Sequence, residues 1–181
     1  KYPKKQWVID AGALQMMDIT LIPKNAILTP HHGEFVHAFD KEFPAGLSSG
    51  QNFLDPLLAS QGYTQEPDVI GAEEISDSPT TKLDKRSAKI LSLTAQQEAV
   101  GFIAKKHDCM VLLKGLVDIA CSLTGDCRVI EGGNAGMTKG GTGDVLAGLI
   151  AALACKNDPF LATIAGSFIN KKAGDALYKK V

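Results

Sequence analysis

The sequence contains no apolar run long enough to cross a bilayer, and its opening, KYPKKQWVIDAG, has neither a long apolar region nor a small-residue cleavage site. A soluble, cytoplasmic protein without a membrane partner is expected. Neither sign of charge dominates: 19 Lys and Arg face 20 Asp and Glu, a formal net charge of -1. No long-range field therefore argues for a nucleic-acid partner, and any anion site must be local. Cys109, Cys121, Cys127 and Cys155 include no CxxC pair and form no dense framework. Reduced core or structural thiols in a reducing compartment are expected, with no zinc site. Two phosphate-binding signatures are also missing. Lys139 precedes the GTG segment instead of following a G-x-x-x-x-G spacing, which excludes a Walker A loop, and no GxGxxG dinucleotide fingerprint occurs.

The 181 residues, 45% of them hydrophobic, suffice for one packed core but not for two full domains. Trp7 to Asp10 reads WVID, a short strand that ends in an acid, and AGALQMM then turns into a helix with Leu14 and Met17 on its apolar face. Ala26 to Leu28 forms a second strand, stopped by TPHHGEF, where Gly33 permits a close turn and Glu34 starts a new element. Between about residues 40 and 87 Pro and Gly break every candidate element. An insertion is expected there, as short helices, a lid or an arm outside the core. Thr94 and Gln97 have capping-box spacing and predict the start of a helix that turns Val100, Ile103 and Ala104 inward.

Cys109 to Leu113 predicts a buried strand that delivers Lys114 and Gly115 at its end. Val117 to Cys121 and Cys127 to Ile130, joined around Thr124-Gly125-Asp126, predict a hairpin. VLAGLIAALAC predicts a helix buried on most faces, and Phe160 to Leu177 a second helix that packs through small residues. The class is α/β, with strand ends near Asp10, Thr29 and Lys114 gathered at one cleft.

The chemistry concentrates in GNAGMTKGGTGD, Gly133 to Asp144, whose five glycines allow backbone amides to wrap an anion ahead of a helix N-terminus. Asp144 then either caps the helix or accepts a proton from an attacking hydroxyl. Lys114 is either a cation for phosphates or a solvated charge. His31 suits an orienting donor better than a metal ligand, because the adjacent His32 does not supply metal-site spacing.

WVIDAGAL, TPHHGEF, LLKGLVDIA and GNAGMTKGGTGDVLAGLIAAL together resemble the ADP/ATP-dependent NAD(P)H-hydrate dehydratases of the ribokinase-like superfamily. The resemblance implies a three-layer α/β/α domain of which residues 1–181 are the C-terminal portion, since the family domain ordinarily starts well before Lys1. An omitted N-terminal segment or a partner chain would complete the cleft, and a homo-oligomer is implied. The implied reaction phosphorylates the hydroxyl of NADH hydrate or NADPH hydrate with ADP or ATP, magnesium accompanying the nucleotide, and then eliminates phosphate. By the same resemblance Asp144 is the base and Gly141, Thr142 and Gly143 form the anion hole. Lys114, Asn134, Ala135, Gly136, Met137 and Gly140 line the nucleotide, while Asp10, His31 and Glu34 line the substrate. His32 stands where the family usually has proline, and Gly12 where it commonly repeats an acid. Two other readings stay open: a small-molecule kinase of the same superfamily, and a non-catalytic nucleotide-binding or assembly module.

Overall fold

The computed structural model describes residues 5–43 and 85–180. Its strands are β1 (Val8–Ile9), β2 (Ile27–Leu28), β3 (Met110–Leu113), β4 (Asp118–Cys121) and β5 (Cys127–Ile130). They form one sheet in the order β1-β2-β3-β4-β5. The first three run parallel, with Val8 opposite Ile27 and Ile27 opposite Met110, and β4 and β5 complete the sheet as an antiparallel hairpin. The helices are α1 (Gly12–Met16), α2 (His32–Phe39), α3 (Lys85–Lys106), α4 (Thr142–Ala154) and α5 (Pro159–Tyr178). Among the described residues no helix is long and apolar enough to cross a membrane.

The three layers follow from the period-two alternation of the strands. Leu28, Val111, Leu113, Ile119 and Cys121 face one way and pack with Leu14, Phe35, Phe39, Val100 and Ile103 of α1, α2 and α3. Ile27, Met110, Leu112, Ala120 and Ile130 face the other way and pack with Leu146 and Ile150 of α4. Gly166 of α5 lets that helix approach α4: a Cβ there would lie 2.5 Å from Ile150 Cγ1. Close helix packing through small residues is thus present where the sequence predicts it. Asp158 starts α5, its side chain accepting from Leu161 N at 2.9 Å, with Pro159 at the first helical position.

Four local expectations change. Helix α3 starts at Lys85, so Thr94 lies in its interior instead of capping it. ILSLTAQQEAV has no breaker, and the capping spacing is overridden by continuation of the helix on both sides. Gly33, expected in a turn, lies in the first turn of α2. Helix α4 is buried along a stripe only, through Leu146 and Ile150, and Val145 is exposed. Finally, Cys121 and Cys127 are joined as a disulfide instead of remaining reduced. The hairpin register sets them directly opposite, 4.1 Å apart at Cα, a relation that exists only once the strands pair. Cys109 stays a free thiol, pushed up to about 12 by burial, and Cys155 is free and exposed. Most of the expected insertion, 40–87, lies outside the described residues. Its two described flanks are helical, a 3-10 turn at Asp40–Glu42 and the start of α3.

Candidate active site

The parallel strands deliver their polar ends to one side, as expected for Asp10, Thr29 and Lys114. A parallel bridge between His31 and Lys114 prolongs the ladder beyond β3, and Lys114 N donates to Pro30 O at 2.8 Å. Across the sheet, Lys114 Nζ donates to Asp10 Oδ1 at 2.7 Å. Just after Asp10 the backbone of Ala11 has φ 50° and ψ -131°, a conformation that side-chain-bearing residues rarely adopt, and it turns the chain abruptly from β1 into α1.

The first turn of α4 rests against that ion pair. A Cβ on Gly143 would lie 3.5 Å from Lys114 Nζ and 3.7 Å from Asp10 Oδ2. The ammonium therefore faces the end of a 13-residue helix whose first amides have no acceptor within the helix. Gly141 enters this helix with φ 92°, which glycine tolerates without strain. Thr142 is the member of the predicted anion hole with least to spare: its N–H donates to Lys139 O, and its single hydroxyl proton is shared between Met137 O and Lys139 O. The amides of Gly143 and Asp144 are the better donors for an anion. Asp144 is the third residue of the helix, exposed, and without a hydrogen bond or ion pair to the described residues. It does not cap the helix, whose N-cap is Gly141.

His31 and Glu34 form a reciprocal cap on α2. His31 N donates to Glu34 Oε2 at 2.9 Å, and Glu34 N donates to His31 Nδ1 at 3.2 Å. His31 Nε2 lies 3.4 Å from Glu34 Oε1, so Glu34 holds the ring at both nitrogens. His31 reaches the cleft, whereas Glu34 is buried and acts on His31 instead of on the cleft. His32 lies behind the Lys114–Gly115 turn, its Cε1 3.1 Å from where a Gly115 Cβ would be. Burial pushes its pKa down, against opposing interactions with Gln96 and the Lys114 backbone, and among the described residues its Nε2 is buried without a hydrogen-bond partner.

The second wall comes from the hairpin and α5. A cleft of about 580 Å³ is lined by His31, Lys114, Asn134, Ala135, Met137 and Gly143, joined by Thr142, Asp118 and Lys171. Gly136, Gly140, Gly141 and Asp144 are not in its lining. Asn134 shapes the loop directly: its Oδ1 accepts from Gly136 N, and its Nδ2 donates to Asp175 Oδ1, each at 3.0 Å. Asp175 Oδ2 also accepts from Gly133 N at 3.2 Å, and these bonds from Asn134 and Gly133 hold its carboxyl below the usual range. Asp118, Ser167, Lys171 and Asp175 were not singled out from the sequence. The signal present was one polar face of α5, on which Ser167, Lys171 and Asp175 recur at helical spacing.

A model of the NAD(P)H-hydrate dehydratase family matches residues 81–181, over half of the chain. The chain belongs to this family. It is 32% identical over 175 residues to the ADP-dependent (S)-NAD(P)H-hydrate dehydratase of Nitrosopumilus maritimus, an alignment covering 96% of this chain and 45% of that protein. The bifunctional NAD(P)H-hydrate repair enzyme Nnr of Methanocaldococcus jannaschii is 51% identical over 70 residues, 39% of this chain and 14% of its own length. Among solved structures, the Bacillus subtilis ADP/ATP-dependent NAD(P)H-hydrate dehydratase co-crystallized with ATP/Mg2+ and soaked with CoA superposes with a TM-score of 0.60 at 24% identity. That match covers 96% of this chain and 48% of that one, and it shows the ribokinase-like dehydratase fold. The chain thus spans less than half the length of these family members.

Proposed function

We propose that this chain carries the nucleotide-facing half of an ADP- or ATP-dependent NAD(P)H-hydrate dehydratase, residues 1–181 being the C-terminal portion of its catalytic domain. The observation that carries the reading is the Lys114–Asp10 pair held against Gly143 at the head of α4. It puts a cation, unpaired amides and the free carboxylate of Asp144 at one end of a helix, as phosphoryl transfer requires. The transferring phosphoryl group lies against the Gly143 and Asp144 amides, and Lys114 balances its charge. Asp144 takes the proton as the hydrate hydroxyl oxygen forms its bond to phosphorus, and AMP or ADP leaves. In the second stage the C–O bond breaks with departure of phosphate, the neighbouring carbon gives up a proton, and the nicotinamide double bond returns.

Magnesium supplies charge neutralisation on the phosphates in such transfers. Among the described residues no three His, Cys, Asp or Glu converge on a metal position, so the ion would be carried by the nucleotide phosphates. His31 borders the substrate side of the cleft, its ring held by Glu34 at both nitrogens.

The test is product analysis with NADH hydrate or NADPH hydrate and either donor, on a preparation that includes the remainder of the domain. Recovery of the reduced nicotinamide absorbance with release of phosphate is expected. A stable phosphorylated alcohol would instead establish a kinase, and no turnover with retained nucleotide binding would establish a binding module.

A further inference from the structure

We propose that Lys171 is a positioning residue, a tethered cation that holds the Gly115–Leu116 turn and the Gly132 turn in the arrangement that shapes the nucleotide cleft. The proposal rests on the nucleotide-binding reading above for its consequence, but not for its geometry. Lys171 Nζ lies 3.2 Å from Gly115 O, 3.4 Å from Leu116 O, 3.2 Å from Gly132 O and 3.2 Å from Asp118 Oδ1. An ammonium has three N–H donors, so four acceptors leave none for a ligand. Lys171 is 5% exposed and Asp118 4%. Asp118 is occupied on both oxygens, Oδ1 accepting from Gly115 N at 3.0 Å and Oδ2 from Ser167 Oγ at 2.8 Å.

Three carbonyl oxygens from two turns converge on one point, an arrangement in which like dipole ends repel unless a cation sits between them. Those turns are the entrance to β4 and the exit from β5, the two ends of the hairpin that border the cleft. Gly115 directly follows the phosphate-facing Lys114. Gly132 and Gly133, both at positive φ, lead into the Asn134–Met137 segment, and the Lys171 stem packs under them. One turn further along α5, Asp175 holds Gly133 and Asn134. The ammonium therefore fixes the distance between the Lys114 side of the cleft and the Asn134 side.

The test compares the isotope-labelled protein, with the remainder of its domain present, with Lys171→Met, and with Lys171→Met combined with Asp118→Asn, which leaves no lone buried charge. Retained amide protection in β3 shows folding; if the single variant loses it, the double variant carries the same readouts. The Gly115, Leu116, Gly132 and Gly133 amides should move and exchange on the order of tenfold faster while Val111 to Leu113 stay fixed. ADP affinity should fall about tenfold, because nucleotide binding must now order the turns. In Lys171→Ala, added ammonium ions should restore turn protection and tetramethylammonium ions should not. Wild-type amide behaviour in a folded variant, or no recovery with ammonium, would overturn the proposal. If the unaltered protein, with the remainder of its domain present, fails to bind ADP, the nucleotide reading falls, while the amide and rescue measurements still decide the role of Lys171.

Discussion

Two lysines stand on opposite sides of the same cleft and are bound in opposite ways. Among the described residues Lys114 has one side-chain partner, Asp10, at 2.7 Å, and both side chains keep some exposure, 19% and 12%. Lys171 has four acceptors between 3.2 and 3.4 Å and is closed to solvent. An ammonium with a single partner has donors left to offer an incoming phosphate, whereas a saturated one has none. The difference separates a side chain suited to meet a ligand from one suited to hold backbone. On the proposed reading it also assigns work to the two walls: the parallel strand ends and α4 would face the reacting groups, and the hairpin with α5 would set the shape they act in.

That division is broken most decisively at Asp144. If the wall with spare capacity performs the chemistry, Asp144→Asn should slow turnover on the order of 10²–10⁴-fold, because Asn cannot accept the hydroxyl proton. ADP affinity should remain close to that of the unaltered protein, since the Gly143 and Asp144 amides persist. The structural cap reading predicts little change, and the observed cap at Gly141 already argues against it. Near-normal turnover in the complete assembly would remove Asp144 from the mechanism.

Stability should sort the lysines next. Lys171→Met strands Asp118 as an unpaired buried carboxylate, a change that typically costs about 3–5 kcal/mol. Lys114→Met leaves Asp10 unpaired but still reached by water at 12% exposure, and should cost less than Lys171→Met. Urea unfolding of the two variants would show the order, and equal losses would mean that Lys114 is as structural as Lys171. Affinity should reverse it in degree: Lys114→Met loses a direct phosphate contact and should weaken ADP binding by roughly tenfold or more at low salt, since hydrogen bonds to charged groups are worth about 1.5–3 kcal/mol. Raising the salt should narrow that gap, because the lost term is electrostatic. An affinity indifferent to Lys114 would place the phosphates elsewhere.

The lysine on the reactive wall was legible in the sequence and the one on the shaping wall was not. CMVLLKG marks its own strand end, and TGD between DIAC and CRVI marks its own turn, because alternation and turn chemistry are local signals. The glycine run likewise announces an approach of backbone to ligand, although not that Thr142 would spend its donors on Met137 and Lys139. Lys171 reads as one more charge in NKKAGDAL until the hairpin brings Asp118 and the Gly132 turn beneath it. The Cys121–Cys127 pairing depends in the same way on register, and the start of α3 depends on the chain continuing helically past a plausible cap. Local chemistry was readable, and convergence of distant segments was not.

The smallest expected effect concerns His32, which lies where the turn bearing Lys114 meets the turn held by Lys171. Burial has the largest influence on its pKa and pushes it down from the ordinary 6.5; the neighbouring His31 acts in the same direction, and Gln96, the Lys114 backbone and Asp118 oppose it. Between 6.5 and that lower native value the unfolded chain binds more protons than the folded one. The stability contributed by a neutral His32 is therefore present above about pH 6.5 and lost as pH falls through the ordinary value toward the native one. One proton can contribute a slope of at most about 1.4 kcal/mol per pH unit. Glu42, held low chiefly by Lys106, and Asp175, held low by Asn134 and Gly133, start from ordinary values of 4.5 and 3.8, so their losses belong to more acid conditions. Urea midpoints measured between pH 7.5 and 5.5 should decline in the unaltered protein and flatten in His32→Leu, which fills similar space without titrating. Protonation adds a third cation behind Lys114 and beside the Lys171 clamp, so the Gly115 amide should shift over the same range. Parallel pH profiles for the two proteins would mean that His32 is accommodated in either charge state, and that the turn between the two lysines yields more readily than its packing suggests.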